Sequence, residues 1–134
     1  MLLLDASIWI AAATPDNQWE SAAGSLIRRP PRPLAALDLT LYEVANVVGV
    51  RYRDAAGAKA VASLVRRRSR DRLVPLDSEL FDAALALAAE HGLSAYDAAY
   101  VAAARRYGWT LVSIDVRDLV SKGLAVTPDA ALYP

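Results

Sequence analysis

The chain opens with an apolar run that ends abruptly at an acid, because Leu2–Leu4 is followed by Asp5 and, two residues later, by Ser7. Three consecutive leucines are typical of a short strand buried on both faces, as in a parallel sheet. The polar residues then mark the end of that strand. Ligands bind at the carboxyl edge of open parallel α/β sheets, so an aspartate at this position is a candidate functional residue.

Further short apolar segments alternate along the chain with segments of helical periodicity. We predict strands at residues 2–5, 34–37, 73–76 and 110–114, with a weak fifth strand at 124–126. We predict helices at about residues 7–13, 19–28, 40–48, 55–68, 78–91, 94–107 and 116–121. No tight hairpin turn joins the strands. This order predicts a three-layer α/β fold, in which a short parallel sheet of four to five strands is covered by helices on both faces.

Length and composition limit the classes of protein and site. The chain has 134 residues, which suits a single domain spanning 1–134. Its 15 basic and 15 acidic residues cancel, so any affinity for a polyanion must come from local clustering of charge. The absence of cysteine excludes disulfides and thiolate metal sites. With no basic leader and no apolar run near the roughly 20 residues of a membrane span, we expect a soluble cytoplasmic protein that makes no membrane contact.

Acidic residues recur where predicted strands end or predicted helices begin, at Asp5, Glu43, Asp97 and Asp115. In the predicted fold all of these side chains can meet at one edge of the sheet. Close carboxylates repel one another, and a hard cation with oxygen ligands, such as Mg²⁺ or Mn²⁺, relieves that repulsion. The set is therefore a candidate metal site able to activate water and to stabilise the oxygens of a phosphodiester displacement.

The same acids have a purely structural alternative. Thr40 and Glu43, like Ser94 and Asp97, have the spacing of a helix capping box, in which the acid satisfies terminal amide groups. An acid in the first turn of a helix is also favoured by the helix dipole. Taken singly, each acid is more often a cap or a surface charge than a ligand. The whole set is harder to explain in that way, and spacing alone leaves both interpretations open.

These residues also carry a resemblance to a known family. The segments that carry it are Leu2–Ile10, Leu39–Asn46, Leu93–Ala104 and Leu111–Leu119. In order and spacing they resemble the four motifs of PIN domains, especially of the VapC ribonucleases of bacterial toxin–antitoxin pairs. The resemblance covers essentially the whole chain. The fourth motif offers both Asp115 and Asp118, of which Asp115, directly after the strand, is the better candidate ligand.

The resemblance implies an endoribonuclease that uses Mg²⁺ or Mn²⁺ to activate a water, which attacks the scissile phosphate and leaves 5′-phosphate and 3′-hydroxyl ends. The implied metal ligands and catalytic residues are Asp5, Glu43, Asp97 and Asp115. The implied supporting residues are Ser7, Asn46, Ser113 and Asp118. It further implies a homodimer held inactive by a VapB-type antitoxin, whose tail covers the acidic groove and whose arginine would pair well with these carboxylates.

Arginines are concentrated in two stretches that lie apart in the sequence. The residues predicted to bind RNA are Arg66, Arg67, Arg68 and Arg70, and the second stretch contains Arg28, Arg29 and Arg32. They could neutralise RNA phosphates along an approach to the acids, because phosphate contacts dominate non-specific affinity. The alternative is a solvated helix end, where positive side chains also suit the helix dipole. The sequence favours neither.

Other classes of protein fit less well or differ in biology. A haloacid-dehalogenase-like phosphatase would usually have an aspartate where this chain has Ser7, and there is no phosphate-binding loop of the Gly-Lys-Ser/Thr type. Two alternatives to an antitoxin-regulated nuclease remain. One is a PIN-like module that binds RNA or protein without cleaving, which would be expected to lack one or more acids. The other is a PIN nuclease that processes RNA outside a toxin–antitoxin pair.

Overall fold

A parallel sheet of four strands lies at the centre of the computed structural model, which describes residues 1–134. The strands are β1 (Leu2–Leu4), β2 (Leu34–Leu37), β3 (Leu73–Val74) and β4 (Thr110–Val112). Their spatial order is β3-β2-β1-β4, and every pairing is parallel. The chain leaves β1 towards β2 on one side and returns as β4 on the other. The carboxyl ends of β1 and β4 therefore flank the point where the winding reverses, which is the usual ligand position in such sheets.

Helices cover both faces of the sheet. They are α1 (Ala6–Ala12), α2 (Glu20–Arg28), α3 (Asp38–Val44), α4 (Ala55–Ser69), α5 (Ser78–His91), α6 (Ala95–Tyr107) and α7 (Pro128–Leu132). Wider π-helical turns continue α3 over Ala45–Arg51 and follow β4 over Val116–Val120. A 3₁₀ turn, Arg70–Arg72, joins α4 to β3. No helix combines the length and apolarity needed to cross a bilayer.

The three leucines of β1 show how the layers are held together. Leu2 and Leu4 are buried in a core shared with residues of α1, α2 and α4, whereas Leu3 is buried in a second core shared with α5 and α6. Successive side chains of a strand point to opposite faces of its sheet, so a continuous apolar run fills both cores. The predicted three-layer α/β fold is confirmed.

Local sequence signals fix the ends of the longer helices. The side chains of Asp54, Asp77 and Ser94 each accept a hydrogen bond from a backbone amide in the first turn of α4, α5 and α6, at 2.8, 2.8 and 3.1 Å. Gly92 and Gly108 end α5 and α6, both with φ of 65°, a conformation that favours glycine. These predicted helix boundaries are confirmed to within a residue.

The predicted fifth strand at 124–126 is wrong, because the segment forms only an isolated parallel bridge between Val112 and Val126. Thr127 caps α7 directly afterwards, with its hydroxyl accepting from the Ala130 amide at 3.3 Å, so the chain turns into a helix before a strand can extend. Helix α7 was not predicted. The strands predicted at 73–76 and 110–114 are also shorter than expected, ending at Val74 and Val112.

Helix α3 begins at Asp38 and not near Thr40 as predicted. Thr40 is fully buried, and its hydroxyl accepts from the backbone N–H of Leu37 at 3.3 Å. Thr40 therefore does not start the helix, and Glu43 lies in its second turn. The alternative that Glu43 forms a capping box with Thr40 is therefore wrong, and Glu43 does not satisfy a helix-terminal amide.

Candidate active site

Asp5 lies at the carboxyl end of β1 and is only 5 % exposed. Its backbone N–H donates to the Val112 carbonyl at 3.2 Å, but its side chain caps no amide of α1 and instead accepts from the Ser7 hydroxyl. Burial raises the pKa of Asp5 from 3.8 to about 6, hydrogen bonds from Ser113 and Ser7 oppose that rise, and the charge of Asp97 adds to it. Asp5 is thus a buried acid at the N-cap position of α1, where an interaction with the Ile8 backbone lowers its pKa but no regular capping hydrogen bond forms.

Ser7 and Ser113 join the ends of the two central strands. The Ser7 hydroxyl accepts from the backbone N–H of Ile114 at 3.3 Å while it donates to Asp5. Ser113 is fully buried, and its hydroxyl accepts from the backbone N–H of Asp115 at 3.0 Å. Each serine therefore contacts an acid or the backbone that carries one, and together they bring Asp5 and Asp115 to the same end of the sheet.

Glu43 reaches this end of the sheet from α3 and is held by a tyrosine of α6. The Tyr100 hydroxyl donates to Glu43 Oε1 at 2.8 Å and lies 2.7 Å from Thr40 Oγ1. Burial raises the pKa of Tyr100 well above 10, so its hydroxyl stays protonated and can donate. Burial also raises the pKa of Glu43 from 4.5 to about 7; the hydrogen bond from Tyr100 lowers it, and the charges of Asp5 and Asp97 raise it.

Asp97 lies in the first turn of α6, where its backbone N–H donates to the Ser94 hydroxyl at 3.1 Å. Its side chain is half-buried. Burial raises the pKa of Asp97, the charge of Asp115 raises it further, the Ser94 hydroxyl lowers it, and the charge of Asp118 adds a smaller increase. The helix cap is therefore supplied by Ser94, while the Asp97 carboxylate lies within the electrostatic field of the other acids.

Asp115 and Asp118 lie at the start of the π-helical turn after β4. The Asp115 carboxylate accepts from the backbone N–H of Asp118 at 2.9 Å, so it caps this turn as well as facing Asp97. The Asp118 side chain is 46 % exposed and lies 4.0 Å from Arg117 Nε. Asp115 is the better placed of the two to act with Asp97.

No lysine, arginine or histidine forms a salt bridge with Asp5, Glu43, Asp97 or Asp115. This oxygen-only set of donors fits a hard cation such as Mg²⁺ or Mn²⁺ in kind. In this structure, however, no three acidic, histidine or cysteine side chains converge closely enough to hold one ion. Ligation of a single ion by three of these carboxylates therefore requires side-chain rearrangement.

Asn46 lies beside Glu43 at the start of the π-helical segment and is exposed. The two residues line a cavity of about 310 Å³ together with Leu39 and Tyr96. No hydrogen bond joins the Asn46 side chain to an acid. The segment nevertheless fits a functional position, because π-helical turns within helices occur frequently at functional sites.

Sequence reasoning missed the bridge formed by Thr40 and Tyr100. Tyr100 is 1 % exposed and packs in the core, and its hydroxyl also holds Glu43. One signal was available in the sequence. Tyr100 follows Asp97 by three residues, so the two share a face of α6, and that face points towards the acids.

The four arginines predicted to bind RNA lie at the end of α4, away from the acids. Arg68 donates to the Arg28 carbonyl at 2.8 Å, and Arg72 donates to the Leu34 carbonyl at 2.8 Å. Leu34 is the first residue of β2, so this cluster lies at the amino edge of the sheet. The structure does not bring the arginines predicted to bind RNA together with the carboxylates.

Comparison with known proteins identifies the family of the chain. The PIN domain family matches residues 2–121. Ribonuclease VapC3 from Pyrobaculum aerophilum is 35 % identical over 132 residues, covering 95 % of this chain and 98 % of the relative. Exonuclease VapC9 from the same organism is 32 % identical over 120 residues, covering 90 % of this chain and 84 % of the relative.

The fold is also found among solved structures. A chain of a toxin–antitoxin complex from Klebsiella pneumoniae matches with a TM-score of 0.72 and 20 % identity, covering 96 % of this chain and 98 % of the other. These matches extend over nearly the whole chain, and the structural match agrees with the fold described above. The chain belongs to the PIN-domain family and, within it, to the VapC branch.

Proposed function

We propose that this chain is a Mg²⁺- or Mn²⁺-dependent endoribonuclease. The observation that carries the proposal is a set of carboxylates without cationic partners at the winding reversal of the sheet, where burial and mutual repulsion raise the pKa of Asp5, Glu43 and Asp97. Buried acids with a purely structural role are expected to be paired with cations. Uncompensated acids of this kind are typical of functional sites.

The proposed ligands are Asp5, Glu43, Asp97 and Asp115. When bound, the metal ion supplies an activated water and stabilises the negative oxygens of a phosphodiester displacement. Ser7 and Ser113 hold the Asp5 and Asp115 segments together, and Tyr100 holds Glu43. In this proposal Asn46 and Asp118 support the acids from the rim of the site.

We further propose RNA as substrate, a VapB-type antitoxin as inhibitor and a homodimer as the active assembly. Membership of the VapC branch and the match to a chain of a toxin–antitoxin complex support a protein partner. An apolar cavity of about 300 Å³, which shares Leu39 and Tyr96 with the cavity at Glu43, also supports one. Phe81, Leu85 and Tyr96, which line it, are 60, 57 and 60 % exposed. Exposed apolar patches of this kind mark interaction surfaces.

Three alternatives to this proposal are separated by specific observations. A non-catalytic PIN-like module would be expected to have lost at least one acid, whereas this chain keeps all four. An exonuclease, the activity in the name of one relative, would release nucleotides from an end and not internal fragments. Processing of RNA outside a toxin–antitoxin pair involves the same chemistry, and a small antitoxin-like reading frame immediately upstream would argue against it.

The test is cleavage of a total RNA pool by the purified chain, with Mg²⁺ or Mn²⁺ and with chelator. Asp97→Asn is compared with wild type, and Asp82→Asn on the exposed face of α5 is the matched control. We expect metal-dependent internal cuts with 5′-phosphate ends, retained in Asp82→Asn and reduced at least about 100-fold in Asp97→Asn, since even outer-shell changes at metal sites cost 10–100-fold. A folded wild-type chain that neither binds metal nor cuts RNA would contradict the proposal.

A further inference from the structure

A second charged surface lies at the amino edge of the sheet. We define this arginine edge by its six residues, Arg28, Arg29, Arg67, Arg68, Arg70 and Arg72. The bonds from Arg68 to the Arg28 carbonyl and from Arg72 to the Leu34 carbonyl join the ends of α2 and α4 to the start of β2. Segments that lie apart in the sequence are thereby assembled into one basic surface.

The positive charges of the arginine edge are almost uncompensated. Arg72 alone has an acidic neighbour, Asp71, at 4.0 Å, and the Asp71 side chain is 90 % exposed. An exposed pair at this distance contributes little. No other arginine of the edge forms a salt bridge. The electrostatic repulsion among these guanidinium groups would be relieved by a polyanion.

Two cavities open on this surface, on either side of the proline-rich loop at residues 30–33. One, of about 190 Å³, is lined by arginines that include Arg67 and Arg70. The other, of about 610 Å³, is lined by Arg28, Arg29 and Tyr133, whose side chain is 81 % exposed. The surface therefore offers guanidinium groups and an aromatic face side by side.

Arg70 also has an unusual backbone, with φ of 48° and ψ of −123°. A residue with a side chain rarely adopts a positive φ, whereas glycine does so readily. Such conformations concentrate at binding and catalytic sites, where the surrounding structure enforces them. This strained arginine is located in the smaller cavity.

We propose that the arginine edge is a second RNA-binding surface, which holds phosphates of the substrate strand at the opposite edge of the sheet from the acids. A guanidinium group can bind two phosphate oxygens at once. The exposed ring of Tyr133 offers a surface on which an RNA base can stack, and an acidic peptide has no base to place there. The choice of RNA as ligand rests on the proposed ribonuclease function.

The two surfaces are separated by the length of the strands. Strands of three to four residues span on the order of 10 Å, so a strand of RNA that contacts both edges must pass around the sheet. A long RNA can use both surfaces, whereas a short oligonucleotide placed at the acids uses only one. The arginine edge is therefore expected to affect the binding of long RNA and not the chemistry of cleavage.

The test measures binding of fluorescein-labelled poly-uridine RNA by fluorescence anisotropy, in buffer with chelator and at a series of salt concentrations. Without a cation the acids repel RNA, so binding depends on basic side chains, and the variants measure the share that the arginine edge contributes. Wild type is compared with the double variant Arg67→Gln, Arg70→Gly, which removes two charges. Lys59→Gln, exposed on α4, is the control for loss of a single charge outside the arginine edge. In the double variant we expect weaker binding and a salt slope reduced by about 1.4, because each neutralised phosphate of a single strand contributes about 0.7 to that slope.

A folded double variant that binds RNA with wild-type affinity and salt slope would overturn the proposal. Displacement of the RNA by poly-glutamate at equal charge concentration would also overturn it, since the surface would then fit an acidic polypeptide. Metal-dependent cleavage of a short oligonucleotide is expected to be the same in both proteins. If wild type binds poly-uridine but cuts no RNA with metal present, the proposed nuclease fails while the binding surface stands.

Discussion

The two edges of this short sheet carry unpaired charges of opposite sign in different environments. At the carboxyl edge Asp5 is 5 % exposed and Glu43 is half-buried, so ionisation is costly and the pKa of each acid is raised. At the amino edge the arginines are largely exposed, and a guanidinium group keeps its proton under all ordinary conditions. Protons and cations can therefore alter the charge of the acidic edge, whereas the arginine edge stays positive.

The largest effect is expected from removal of the most buried charge of the acidic edge, that of Asp5. Asp5→Asn is expected to reduce metal-dependent RNA cleavage at least about 100-fold, because the amide is a poorer ligand for a hard cation. The same variant should be more stable than metal-free wild type at pH 8, by up to about 3 kcal/mol, from the rise in pKa of Asp5 from 3.8 to about 6. RNA cleavage and urea unfolding measure the two effects, and full activity in Asp5→Asn would remove Asp5 from the proposed ligands.

The acidic edge should also make the metal-free protein less stable as pH rises. The folded pKa of Asp5 (about 6) and of Glu43 (about 7) exceeds the unfolded value, so the folded state binds more protons at intermediate pH and loses stability as they dissociate. Between pH 5 and pH 8 we expect the Tm to fall on the order of 10 °C. Asp77, whose pKa Arg106 lowers, is ionised throughout this range and does not contribute.

Mg²⁺ should counteract that loss at pH 8, because the cation binds the ionised carboxylates and protons compete with it. Thermal unfolding at both pH values, with and without Mg²⁺, measures the effect, and Asp5→Asn serves as the control in which the response is reduced. An identical Tm at pH 5 and pH 8, unchanged by Mg²⁺, would show that ionisation of these acids does not lower the stability of the folded chain.

Removal of the Tyr100 hydroxyl tests whether the geometry of the acidic edge matters apart from its charge. Tyr100→Phe is expected to reduce cleavage about 10- to 100-fold, as for other outer-shell changes at metal sites, with a loss of about 1 kcal/mol of stability. The pKa of Glu43 should rise further, since its hydrogen bond to Tyr100 lowers it, and the pH profile of cleavage should shift upwards.

Tyr107→Phe, at the exposed end of the same helix, is the matched control and should leave the rate and the profile unchanged. A wild-type rate and pH profile in Tyr100→Phe would show that Tyr100 contributes only packing and that its hydroxyl has no role in the site.

The smallest expected effect concerns the amino edge. Arg70→Gly should stabilise the chain by about 1 kcal/mol, because glycine adopts φ of 48° without the strain of a side chain. Urea unfolding measures the change, and Arg66→Gln, also exposed at the end of α4, should leave stability nearly unchanged. Destabilisation by Arg70→Gly would mean that contacts of the Arg70 side chain outweigh its backbone strain.

Features of the fold that depend on neighbouring residues were predictable from the sequence. The buried strand Leu2–Leu4 and the helix ends at Asp54, Asp77 and Gly92 all follow from local patterns. The carboxyl-edge positions of Asp5 and Asp115 follow from the strands that precede them. For these features, a few adjacent side chains determine the outcome.

Features that depend on tertiary packing were not predictable in this way. The bridge from Thr40 to Tyr100 joins residues far apart in sequence, and it displaced a local capping pattern that looked equally plausible. The position of the arginines depends on the direction in which α4 crosses the sheet, which periodicity does not specify. Sequence therefore indicated which residues carry charge, and the fold determined at which edge of the sheet they lie.

The pairing of β1 with β4 has a consequence during synthesis of the chain. The first strand of the sequence lies between β2 and the last strand, and Ser7 binds the backbone at Ile114. A nascent chain still lacking β4 has no partner on one side of β1 and lacks Asp115. The acidic edge is thus completed only after β4 has been synthesised, so that the ribosome carries an unassembled, and on our proposal inactive, nuclease while the residues before β4 are made.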